Sequence, residues 1–168
     1  MKKKLLFFGV LGVLFSFNVF AQNIIPVAAG PGAISIAFTT ASAGDILELT
    51  TDGGIYAEAA TLIIDKKITI RAAVGLSSKP TWASDDPNYM IKLSAGLTLQ
   101  GIAFDGLQGA SKSIGALDIR LVGGNVKIYN CDFVNMSDPA GTDGKAIYGT
   151  SAAQTDSLII VGCTFANI

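Results

Sequence analysis

Histidine is absent from the 168 residues and cysteine occurs only twice. Without imidazole the chain holds no Ser-His-Asp or Cys-His pair, no histidine general base and no histidine-containing zinc site. Aromatic residues make up 8% of the chain, and the 12 Lys and Arg do not outnumber the 13 Asp and Glu, giving a formal net charge of −1. Nucleic acid requires a basic stripe, so the charge balance excludes it as a partner. The length allows one domain of ordinary size.

What the chain does have is apolar residues, 50% of the total, and 19 glycines. Part of that apolar content is concentrated at the N-terminus. Lys2, Lys3 and Lys4 precede an apolar run from Leu5 to Phe17, and Val19-Phe20-Ala21 places small residues at −3 and −1 of a cleavage site. This is the pattern of a secretory signal peptide over 1–21, too short for a stable membrane span; an uncleaved N-terminal anchor is the alternative. Removal of 1–21 takes five of the nine Phe and three of the 12 basic residues, leaving 9 basic against 13 acidic groups, a net −4. The mature chain, 22–168, is expected to be exported to the periplasm, the cell surface or the medium, with no membrane span of its own.

Three segments, 97–106, 126–135 and 158–167, align without gaps, and 68–71 matches their first half, with starts 29, 29 and 32 residues apart. Each copy alternates apolar and variable residues, breaks at Gly101, Asn130 or Gly162, and resumes towards Phe104, Phe133 or Phe165. Period-two alternation means strands with one buried face. Further strand-like runs, 90–93, 117–121 and 146–148, fall between the copies. No repeat of this length buries its own apolar face. Parallel stacking buries Ile70, Leu99, Ile128 and Ile160 as one ladder and the three phenylalanines as another, with rungs ~4.8 Å apart. An antiparallel sandwich also gives short alternating strands but leaves the recurrence at one register unexplained. Before the repeats, Ile34, Ala37, Phe38 and Ala41 follow helical spacing, with Gly44 as a stop. A short helix there would cap the open end of the stack, and 45–49 would open the first coil.

Gly30-Pro31-Gly32, the run 43–49, Gly54-Ile55-Tyr56, the run 67–72 and Lys79-Pro80 together resemble the N-terminal cap and first coils of secreted pectate-lyase-like proteins. The likeness is to the branch containing chondroitinase B and alginate lyases, polysaccharide lyase family six, and to related exported proteins. The resemblance implies an all-β, right-handed parallel β-helix with a short N-terminal capping helix. It also implies action on, or binding to, polysaccharide, with acidic-glycan lyase activity in the full-length form. Such lyases use a Lys and an Arg near a Ca²⁺ held by acidic and amide side chains on later coils. No residue of this chain is therefore assigned to catalysis, to Ca²⁺ or to another cofactor. The chain ends at Ile168 without a C-terminal cap and is expected to be the truncated N-terminal part of a longer β-helix. A non-catalytic surface glycan-binding or structural β-helix is the other function class.

Glycan-contact candidates lie on outward faces. On the aligned strand, Arg71, Gln100 and Tyr129 share one register position and Lys127 another; Tyr129 beside Lys127 and Gln100 offers an aromatic face with donors suited to a pyranose ring, or is simply a solvated face. Asp118 and Arg120, two residues apart, suit an acidic sugar or its metal, or form a surface ion pair worth ~0–1 kcal/mol. Lys145 closes the loop 137–145 and is its only candidate base for β-elimination. Asp85-Asp86-Pro87 beside Trp82 and Tyr89 reads as an exposed acidic and aromatic cluster or as a capped turn. Asn130, Asn135 and Asn167 stand at tight bends, where the left-handed region favours Gly and Asn. Cys131 and Cys163 share a register with Ile102. In-register neighbours hold their Cβ atoms ~4.8 Å apart, beyond disulfide reach, which favours stacked thiols.

Overall fold

A computed structural model describes residues 22–108, 112–137 and 144–168. The expected signal segment 1–21 and loop residues 138–143 lie outside these. Strand β1 (Ile24–Val27) and helix α1 (Ala33–Thr40) come first. The first turn of the chain then carries β2 (Ile46–Leu49), β3 (Ile55–Glu58) and β4 (Leu62–Ile64). The second carries β5 (Ile68–Ala72), β6 (Thr81–Ser84) and β7 (Tyr89–Leu93). The third carries β8 (Leu97–Gln100), β9 (Ala103–Asp105) and β10 (Gly115–Ile119), and the fourth β11 (Asn125–Tyr129), β12 (Asp132–Val134) and β13 (Lys145–Gly149). Strands β14 (Ser157–Val161) and β15 (Thr164–Ala166) begin another.

Corresponding strands of successive turns pair in parallel, giving three sheets: β1-β2-β5-β8-β11-β14, β3-β6-β9-β12-β15 and β4-β7-β10-β13. The chain is a parallel β-solenoid of about four turns. Leu47, Ile70, Leu99, Ile128 and Ile160 stand in one register column, and the first four are fully buried. Phe104, Phe133 and Phe165 form a second column, with ring centroids 5.1 Å apart and nearly parallel planes. Each aromatic pair adds about 0.5–1.5 kcal/mol beyond its buried area. Trp82 extends that column, its centroid 5.7 Å from Phe104, and is fully buried. The expectation of an exposed cluster around Trp82 is therefore wrong. The indole occupies the phenylalanine position one turn earlier, and the adjoining Asp86 forms a capped turn.

The start of the stack departs from the sequence reading in two ways. Strand β1 was not anticipated; it pairs only with β2, and as an edge strand it tolerates Pro26. Helix α1 buries Ile34 and Phe38 as expected, yet it ends at Thr40, short of Gly44, where Ala41 turns extended. Both helix ends are held from the first turn. The buried Glu58 accepts the N–H groups of Ile34 (2.9 Å) and Ser35 (3.3 Å), a negative group on free amides at the N-terminus. At the other end Lys66 Nζ donates to Ala41 O (2.6 Å) and lies 4.5 Å above the Phe38 ring.

The bends follow the expected chemistry. Asn130, Asn135 and Asn167 have φ of 52°, 57° and 53°, and Gly101 and Gly162 occupy the same region. Asn167 Nδ2 donates to Asn135 Oδ1 (3.1 Å), and Asn135 Nδ2 to Asp105 Oδ1 (3.0 Å), so one bend is tied rung to rung. Cys131 and Cys163 are free thiols, and burial pushes the Cys131 thiol up to about 11. If left-handed backbone sets the bend at Asn130, Asn130→Val destabilises the protein by about 1–2 kcal/mol and Asn130→Gly by a few tenths. Urea unfolding of the two variants checks the difference; equal losses would contradict it.

Candidate functional site

The outer face of the third sheet carries a cleft of about 480 Å³, within the size range of small-ligand sites. Its floor follows from register. Ile63, Lys92, Asp118 and Tyr148 occupy one column on β4, β7, β10 and β13, so four rungs present apolar, cationic, anionic and aromatic side chains in turn. A second column holds Tyr89, Gly115 and Lys145. A Cβ on Gly115 would stand 2.6 Å from the Tyr89 ring and would also collide with the Lys145 carbonyl. The missing side chain lets Tyr89 lie against Gly115, where it stacks with Tyr148, centroids 5.7 Å apart.

Asp118 sits within this ring of groups. Its side chain is only 5% exposed; Oδ2 accepts from Arg120 Nε at 2.8 Å, and Oδ1 is buried with no partner among the described residues. The expected ion pair is present, but it is not the surface pair anticipated: Asp118 is buried and only Arg120, 50% exposed, is open to water. Leaving a buried acceptor unpaired costs about 1–3 kcal/mol, more for a charged one. Burial, and then the charge of Asp118, push the Tyr89 phenol above its ordinary value, so it remains a protonated donor at neutral pH. No hydrogen bond joins the Tyr89 or Tyr148 hydroxyl, or Lys92 Nζ, to another described residue. Among the described residues Asp118 is the one acid lining the cleft, and Arg120 already holds it. The cleft therefore does not fit Ca²⁺, which takes six to eight oxygen ligands. Among the described residues no group of three or more acids and cysteines is placed to hold a metal.

One wall is a turn built by Asp86. Its carboxylate accepts from Asn88 N (2.9 Å) and Nδ2 (2.7 Å) and, one rung away, from Thr61 N (3.3 Å). Thr61 in turn donates to Tyr89 O at 2.6 Å.

The remaining candidates lie elsewhere. Arg71 is held by Glu48 through Nε and Nη2 (3.1 and 2.8 Å), in line with Gln100 and Tyr129 on the first sheet. Lys127 lines a separate cleft of about 360 Å³ with Lys67, Thr98 and Asn125. Lys145 is exposed on β13, in register with Tyr89 but outside the cleft lining. The fold thus unites Asp118 with Arg120 and leaves the other five apart from them. Lys92 and Tyr148 were missed, because they meet Asp118 only through pairing between turns.

No family model and no curated protein matches the sequence. Among solved structures, the PL6 family alginate lyase AlyGC superposes with a TM-score of 0.72 at 19% identity, over 87% of this chain and 20% of that one. The fold is a PL6-like parallel β-helix. An arginine-to-alanine mutant of AlyGC gives a TM-score of 0.70 at 22% identity with the same coverage. This PL6-like chain thus spans one fifth of the length of the lyases it matches.

The Asp86 wall has a pH signature. The Asn88 N–H, then the Asn88 amide and Thr61, hold the Asp86 carboxyl below its ordinary 3.8. Its stabilisation is complete above that value and is lost as pH falls through the depressed one. Asp86→Asn should therefore lower stability by about 1 kcal/mol at pH 7, and the gap from wild type should narrow in thermal melts as the pH is taken below the ordinary 3.8. A gap independent of pH would contradict this role for the carboxylate.

Proposed function

We propose that this chain forms the N-terminal coils of an exported protein that binds acidic polysaccharide and, in its full-length form, cleaves it by β-elimination. The observation that supports this is the superposition of 87% of the chain on a PL6 alginate lyase; the branch containing chondroitinase B and alginate lyases is the one its sequence resembles. Export rests on residues 1–21. No helix among the described residues is long and apolar enough to cross a membrane.

The family resemblance assigns proton abstraction from C5 to a lysine or arginine, with Ca²⁺ beside the uronate. No described residue here combines such a base with a site fitting Ca²⁺, so no chemical step is assigned to this chain. Its contribution is a rigid stack that presents a line of polar and aromatic side chains to the glycan.

A second reading is a surface β-helix that binds glycan without cleaving it, supported by the stacked Tyr89 and Tyr148 beside Lys92 and Arg120 in the cleft. Incubating full-length protein with alginate or chondroitin separates the two. Elimination creates an unsaturated product absorbing near ~232 nm, the mark of a C5 proton removed. A rising signal supports the lyase, binding without it supports the second reading, and neither binding nor product contradicts both.

A further inference from the structure

We propose that Gln22 is a modification site: cleavage after Ala21 exposes its α-amine, which closes onto its own side-chain amide to give a pyroglutamate that blocks the N-terminus of the mature protein. This rests on the export reading, in which residues 1–21 are removed, and says what becomes of the end that removal creates.

Sequence supplies the first argument. The small residues Val19 and Ala21 set the cut directly before Gln22, and glutamine is the amide residue whose side chain reaches its own α-amine in an unstrained ring. The free amine nitrogen attacks Cδ, the Cδ–Nε2 bond breaks, and Nε2 takes up an amine proton and leaves as ammonia. No oxidant, reductant or second substrate is needed. The lactam nitrogen is an uncharged amide, so the mature chain loses the positive charge that cleavage had added.

Geometry supplies the second. The stack takes hold of the chain one residue later: Asn23 N donates to Asp45 Oδ1 (3.2 Å), Asn23 O accepts from Ile46 N (2.8 Å), and ladder pairing with β2 starts at Ile24. Gln22 is exposed and stands before the first ladder pair. Its side chain is tied by one exposed bond, from Nε2 to Gly44 O at 2.9 Å. A bond open to water opens readily, and the amide is then free to turn back to the amine. The consequence falls on β1, the edge strand of its sheet. Val27 is buried and its carbonyl accepts from the Tyr56 hydroxyl at 2.9 Å, so loss of β1 would uncover the first turn. An exopeptidase working from the N-terminus must grip a free α-amine, and the lactam leaves none outside the stack.

The test expresses the full-length protein, with residues 1–21, in a bacterium that exports it, as wild type and as Gln22→Asn, whose side chain keeps the amide but is one carbon too short for this ring. The intact proteins are submitted to Edman degradation and then digested with trypsin. The N-terminal peptide is 22–66, because Lys66 is the first basic residue after the cut. Wild type should give no Edman signal and a peptide lighter than its sequence by one ammonia. The variant should sequence normally and give a peptide of full mass, and an aminopeptidase should shorten the variant while leaving wild type intact. Wild type that starts at Gln22 with its amine free overturns the modification and leaves export standing. Equal behaviour of the two under the aminopeptidase overturns the protection of β1. A chain that keeps residues 1–21, or is cut elsewhere, overturns the export reading and this inference together.

Discussion

Every described strand meets a neighbour one turn away in the same register, and that stacking constraint governs the rest of the structure. Parallel pairing at ~4.8 Å places like positions over one another, so a side chain that fits one rung must fit against its counterpart in the next. Inside the coil this selects a repeated type. Leu47, Ile70, Leu99 and Ile128 make one buried column, and Trp82, Phe104 and Phe133 another. A slip of one residue would move an entire column to the wrong face. Length is free to vary only in the connections, and the bends hold their shape through residues that accept a left-handed backbone, Gly101, Asn130 and Gly162.

Outside the coil the same register has the opposite consequence. Outward positions carry no packing requirement from rung to rung, so different chemistries stand side by side at fixed spacing. Ile63, Lys92, Asp118 and Tyr148 form such a column. The interior supplies the rigidity and the exterior the variety. Gly115 shows how the two meet: removing one side chain from the face makes room for Tyr89 and lets it stack with Tyr148. Asp118 belongs to the outer column yet is nearly buried, which is why its unpaired oxygen carries more weight than any exposed charge on the coil.

The ladders were legible in the sequence because residue types recur in three copies at nearly constant spacing. The first turn was not, because Leu47 precedes Ile70 by 23 residues whereas Leu99 follows it by 29, and alignment at one period passes over a shorter turn. Trp82 was misplaced for a related reason. Connections differ between sheets, so the aromatic column steps by 22 residues from Trp82 to Phe104 while the aliphatic column of the same two turns steps by 29. Glu58 capping α1 from 24 residues away left no local signal. At the cleft, the Asp118 and Arg120 pair was visible as a spacing of two, but Lys92 and Tyr148 join it only through pairing between turns. A column whose members all differ has no repetition to betray it.

Rung-to-rung contact, rather than burial of each side chain alone, holds the coil together. A double-mutant cycle on Phe104→Leu and Phe133→Leu tests it directly, since the two rings stack at 5.1 Å and leucine keeps each position apolar. Measured by urea unfolding, the cycle should return a coupling of about 0.5–1.5 kcal/mol. Additive losses, with coupling below about 0.3 kcal/mol, would show that the rings contribute independently and would contradict the account.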